Sequence, residues 1–177
     1  MIQVDVEKIK RAINGDKQAF LEIIMERKGD IYRLAYVYLR NENDALDILH
    51  DTVYRAYASI RKLKNPEYFN TWLTRITINC SLTSWNKRKK ISENEIRIFD
   101  EDISDDNIEN SEDFIISRID IMKSIEKLAF DEKTVVILKY FQDLTISQIS
   151  DILSCPIGTV KTRLHRALKL LRTELKS

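Results

Sequence analysis

Residues 144–172 read LTISQISDILSCPIGTVKTRLHRALKLLR, and this stretch decides the fold. Thr145-Ile146-Ser147-Gln148 fits a capping box, in which the Thr145 hydroxyl accepts from the Gln148 amide while the Gln148 side chain reaches back. A short helix starts there and runs to about Leu153, because Ser154-Cys155-Pro156 interrupts it and Pro156 suits the first turn of a following helix. In that second helix Val160, Leu164, Leu168, Leu171 and Leu175 form the expected buried stripe. Thr159, Lys161, Thr162, Arg163, His165, Arg166 and Lys169 are left toward solvent, with no acid between Gly158 and Arg172. Helix, tight turn and basic helix make a helix-turn-helix, whose second helix enters a DNA major groove and needs long cationic donors beside its base-facing residues.

Working outward, the rest of the chain is helical by the same reasoning. Its 177 residues contain only 3 Gly and 2 Pro, too few for the turns of a sheet-rich fold or for a glycine-rich phosphate loop. Ahead of residue 144, Ile121, Met122, Ile125 and Leu128 form one apolar stripe, and Val135, Val136 and Leu138 to Phe141 a second helix closed by Leu144. The N-terminal part is a four- or five-helix bundle. Asp16 is a good N-cap; Phe20, Ile23 and Ile24 mark one helix, and beyond Gly29 a further one carries Ile31, Leu34, Ala35 and Tyr38. Asn43 or Asp44 opens the next, with Leu46, Leu49, Val53, Ala56 and Ile60 inward. Pro66 breaks that run, after which Phe69, Trp72, Leu73, Ile76 and Cys80 point inward on a helix ending in Lys87, Arg88, Lys89 and Lys90.

The net charge of +1 hides a segregated layout. Residues 1–90 carry 17 bases and 11 acids, residues 91–116 ten acids and one base, and residues 117–177 11 bases and seven acids. A like-charged block poor in large apolar residues buries too little surface to fold alone. The expected organisation is all-α, with a helical bundle over 1–90 and a helix-turn-helix domain over 117–177. Between them lies a flexible acidic linker over 91–116, either a solubilising spacer or a strap that competes with nucleic acid.

No run of about 18 apolar residues exists to span a membrane, and the opening MIQVDVEKIKRAINGDK alternates charged with apolar residues, unlike a signal peptide. A cytoplasmic protein is expected. Cys80 and Cys155 are the only cysteines, too few for a disulfide framework or thiolate metal site, and both read as small buried hydrophobes. Asp47, His50 and neighbouring acids resemble half of a carboxylate metal site, but the facing acid-x-x-His copy is missing, which makes a metalloenzyme the weaker alternative. A self-sufficient helix-turn-helix repressor is the stronger one, although it leaves the aromatic and basic N-terminal part unexplained.

Three segments in order, DALDILHDTVYRAYASI (44–60), FNTWLTRITINC (69–80) and the stretch from residue 144, resemble the second and fourth conserved domains of the extracytoplasmic-function group of bacterial RNA polymerase sigma factors. The resemblance spans roughly residues 15–175, without a third domain between. It implies a protein with no catalytic site, metal or cofactor of its own. Such a protein binds core RNA polymerase, recognises and melts promoter DNA as duplex and single strand, and is sequestered by an anti-sigma factor. The resemblance makes Asp47, His50, Asp51, Tyr54 and Arg55 candidates for core binding, with His50 where the family usually has Gln. For the minus-ten element it implies Tyr68, Asn79, Trp85, Lys87, Arg88 and Lys90, with residues 63–69 lining a pocket for a flipped base, since melted DNA is trapped by stacking and base-edge contacts. Phe69 and Trp72 are assigned to the core, and Thr83 stands where Asp is frequent. For the minus-thirty-five element the resemblance implies Thr159, Lys161, Thr162, Arg163, His165 and Arg166. Ser150 and Ser154 replace the family's frequent Ala and Gly and are expected to loosen the turn slightly.

Overall fold

The structure, a computed structural model, describes residues 5–94 and 123–174. Their regular elements are all helices, with no strand among them, and they fall into two compact units, one within residues 1–95 and the other within 96–177. The acidic linker expected over 91–116 lies outside the described residues except at its start, where helix continues to Asn94.

In the first unit α1 spans Val6–Ile13, α2 Lys17–Leu39, α3 Glu42–Ser59 and α4 Phe69–Asn94. Short 3-10 turns at Ile60–Lys62 and Pro66–Tyr68 join α3 to α4. Local chemistry sets each start. The Asp5 carboxylate accepts from the amides of Glu7 and Lys8, Asp16 from that of Ala19, and Asn41 from that of Asp44. The Ala19 amide, followed by the Arg11 guanidinium, holds the Asp16 carboxyl below its ordinary pKa. Gly15 takes φ +99° at the α1–α2 joint, a conformation side chains avoid.

Two expectations for this unit are corrected. Gly29 does not divide two helices: α2 runs through it for 23 residues. One helical Gly costs only about 1 kcal/mol, and Phe20, Ile23, Ile24, Ile31, Leu34 and Tyr38, buried on both sides of it, outweigh that. Next, α3 is capped by Asn41, two residues before the earliest expected start, and its buried stripe is Ala45, Ile48, Thr52 and Ala56. Leu46 is 43% exposed, and Leu49 and Val53 are half-buried. Fully buried Ala45 takes the inward place that the spacing gave to Leu46. On α4, Phe69, Leu73 and Cys80 are buried as the spacing requires, while Trp72 and Ile76 pack on the core edge. Buried Thr77 and Ser81 satisfy their hydroxyls on the carbonyls of Leu73 and Thr77, each at 3.0 Å.

In the second unit α5 spans Phe130–Val136 and widens into a π turn at Ile137–Phe141, followed by α6 at Ile146–Leu153 and α7 at Ile157–Glu174. Ile125, Leu128, Val136, Ala167 and Leu171 form a core cluster, with Leu164 packed at its edge. The inward stripe of α7 is therefore Val160, Ala167 and Leu171. Leu164 and Leu168 are only half-buried, and Leu175, Ile121 and Met122 lie outside the described residues.

Candidate nucleic-acid interface

The turn between α6 and α7 is built as its sequence dictates. The Gln148 amide donates to the Thr145 hydroxyl at 3.3 Å, and the Thr145 amide donates to the Gln148 side-chain oxygen at 2.9 Å, closing the capping box. Ser154 ends α6 in a left-handed conformation, φ +50°. Ser150 does not loosen this turn. Its hydroxyl donates to the Cys155 carbonyl at 2.6 Å while its own carbonyl accepts from the Cys155 amide at 3.2 Å, so one residue grips both strands of the bend. Cys155 is half-buried, unlike the buried Cys80.

From this turn α7 projects Lys161, Thr162, His165, Arg166 and Lys169, all exposed, while Val160 is buried beneath. Their spacing places them on one face, with Thr159 half-buried at its start. The Thr162 hydroxyl donates to the Gly158 carbonyl at 2.9 Å. Arg163 differs from its neighbours. It is half-buried and forms an ion pair with Asp131 on α5. Such a cationic, acid-free face is what phosphate neutralisation and base-edge donation require.

In the first unit, Asp47, His50, Asp51, Tyr54 and Arg55 are all exposed along the outer side of α3, Tyr54 at 75%. Sequence patterning missed two apolar neighbours of this face. Leu46 was assigned to the core, and Tyr57, 48% exposed, was unassigned; its ring meets Phe20 edge-on at 5.2 Å. The loop before α4 carries Tyr68, 60% exposed, on a 3-10 turn whose N-cap Asn65 accepts from the Glu67 amide. Asn79 and Lys87 share an exposed face of α4 with Arg75 and Thr83. Arg75 lies one turn before Asn79, and that spacing was the signal that could have found it. Trp85 is half-buried and off this face. Arg88, expected among the phosphate contacts, is engaged by Asp44 and the Leu39 carbonyl. The Lys90 side chain lies outside the described residues. On α2, Tyr32 and Tyr36 stack at 6.2 Å and Arg40 lies 5.2 Å over the Tyr36 ring, a ladder the sequence analysis did not pick out.

No group of three or more His, Cys, Asp and Glu able to hold a metal ion exists among the described residues. No described helix is long and apolar enough to cross a membrane.

Comparison with known proteins places both units. Residues 23–91 match the family described as sigma-70 region 2, and residues 118–171 that described as sigma-70, region 4. The chain is 34% identical over 159 residues to RNA polymerase sigma factor SigV of Bacillus subtilis, covering 90% of this chain and 92% of that one. It is 33% identical over 181 residues to ECF RNA polymerase sigma factor SigW of the same organism, with 96% of each covered. Among solved structures, CnrH in complex with the cytosolic domain of CnrY matches with a TM-score of 0.71 at 18% identity, over 97% of both chains. RpoE in complex with the anti-sigma factor NepR from Bartonella quintana matches at 0.69 and 22%, over 89% of this chain and 96% of that one. At these identities the two structures speak for the fold.

Proposed function

The chain belongs to the extracytoplasmic-function group of the sigma-70 family of RNA polymerase sigma factors, and we propose that three of its faces divide the labour of that function. The protein binds bacterial core RNA polymerase and directs promoter recognition and transcription initiation. It brings recognition; the polymerase active centre performs nucleotidyl transfer, so this chain needs no catalytic residue or cofactor, and its place of work is the cytoplasm with the polymerase.

The face of α7 bearing Lys161, Thr162, His165 and Arg166 enters the major groove of the minus-thirty-five element, N-terminal end first, with Thr159 at its tip. Arg163 joins it on exchanging Asp131 for a phosphate. Tyr68 and Asn79 receive an unpaired base of the minus-ten element, and Lys87 and Lys90 hold the backbone beside it. The outer side of α3, with Asp47, His50, Asp51, Tyr54 and Arg55, docks on core polymerase. The domain bounds that go with this division are 1–90 for core binding and minus-ten melting and 117–177 for minus-thirty-five reading, with the acidic linker between. An anti-sigma protein covering the same faces is the expected regulator; the similar fold of RpoE was solved in complex with an anti-sigma factor, NepR.

The observation that carries this reading is the acid-free cationic face of α7, which follows a turn tied by the α6 capping box and by Ser150. Selection of duplexes from a randomised pool tests it. Core polymerase plus this protein should enrich two spaced elements, and the protein alone neither. Enrichment of one palindromic element by the free protein would instead identify a repressor.

A further inference from the structure

Helix α2 ends at Leu39, where Arg40 turns left-handed at φ +50°, and α3 begins after Asn41. The carbonyls at such a helix end lack intrahelical partners and carry the negative end of the helix dipole. Arg88, 49 residues away on α4, donates from Nη1 to the Leu39 carbonyl at 3.3 Å, and its Nη2 pairs with the Asp44 carboxylate in the first turn of α3. Its side chain is 45% exposed and that of Asp44 25%, so the pair sits at the edge of the bundle and not in open solvent. Burial draws the Arg88 pKa below its ordinary value, the mark of a guanidinium partly withdrawn from water. A planar fork with several fixed N–H directions can bridge a carbonyl and a carboxylate at once; a lysine ammonium is a single point charge.

We infer that Arg88 is a positioning residue that fastens the DNA-facing end of α4 to the corner where α2 hands over to α3, and that it does not hold a promoter phosphate. The inference rests on the function proposed above and deepens it. α3 carries the polymerase-docking face and α4 carries Asn79 and Lys87, so the Arg88 brace sets the melted strand in register with the enzyme that copies it. Trp85, half-buried one turn earlier, is carried by the same segment.

The test uses holoenzyme assembled from the full chain and bacterial core polymerase, on a promoter that wild-type holoenzyme selects from a random pool. Arg88→Ala and Asp44→Ala should each lower open-complex formation about tenfold, and combining them should lower it no further than the worse single change, because the two act as one unit. Arg88→Lys should stay impaired. The dependence of single-strand affinity on salt should keep its slope in Arg88→Ala, since no phosphate contact is lost. A slope shallower by about 0.7 in Arg88→Ala, with full activity in Arg88→Lys, would overturn the inference and return Arg88 to the phosphate contacts. Melting of the free full-length variants gives a readout without polymerase. The double alanine variant should lose no more melting temperature than the worse single change, and independent, additive losses would contradict the brace. That readout stands even if wild-type holoenzyme opens no promoter, an outcome that overturns the sigma-factor reading instead.

Discussion

Cys80 and Cys155 show how far one residue type can diverge within a chain. Cys80 is 1% exposed in the first unit's core, and burial pushes its thiol pKa up. The raised value means the folded state holds its proton longer than the unfolded chain. Stability from Cys80 is therefore complete below the ordinary thiol pKa of about 8.5 and falls as pH rises above it. Cys155 is half-buried in the turn ahead of α7. Native protein titrated with a disulfide reagent near pH 8 should show one fast thiol, lost in Cys155→Ser, and a second that reacts only as the first unit opens. Two equally fast thiols would contradict this placement. The partner of a charged side chain was the least legible feature at this scale. Arg163 and Arg88 look in sequence like their basic neighbours. Their acids, Asp131 and Asp44, lie 32 and 44 positions away, and only the packed helices bring them together. Removing an unencumbered cation is the cleaner probe of the DNA face. Arg166→Ala should weaken duplex binding and make its salt dependence shallower by about one unit of slope.

At the scale of elements, caps were legible and interior glycines were not. The Thr145 capping box could be read from four residues because its hydrogen bonds are local, and the same holds for Asp16 ahead of α2. Thr145→Ala should cost the second unit roughly 1 kcal/mol, read as a lower melting temperature, with Thr145→Ser nearly neutral. Gly29 had the look of punctuation, yet burial on either side carries α2 through it. It is exposed, and a methyl group there would meet nothing closer than the Arg33 guanidinium at 4.0 Å. Gly29→Ala should therefore stabilise the chain by about 0.5–1 kcal/mol in denaturant titration. Gly15 is the reverse case, since its φ of +99° makes any side chain strained. Gly15→Ala should destabilise by about 1 kcal/mol or more in the same measurement. The face of α3 was misjudged by one position because Leu46 is more hydrophobic than Ala45. Helix packing chose the smaller residue for contact and left the larger one outside.

At the scale of the whole molecule, the proposed function gives each of the two units a DNA-facing surface. Each would hold DNA weakly alone. Fixed on one polymerase, the second contact becomes effectively intramolecular, which raises the combined affinity without any new contact. This economy suits a chain of 177 residues whose two cores are small. The helix-turn-helix, the basic face of α7 and the two-unit division were legible because they rest on local caps, charge order and spacing. The brace at Arg88 and the exposed side of α3 were not, because they depend on which helices meet. Run-off transcription from a randomised promoter pool, with bacterial core polymerase alone and with this protein added, tests the central claim most directly. Initiation from a shared pair of spaced elements, with the upstream one lost in Arg166→Ala, is the predicted result. If core polymerase gained no initiation while the protein alone retained a specific duplex, the sigma-factor account would be contradicted.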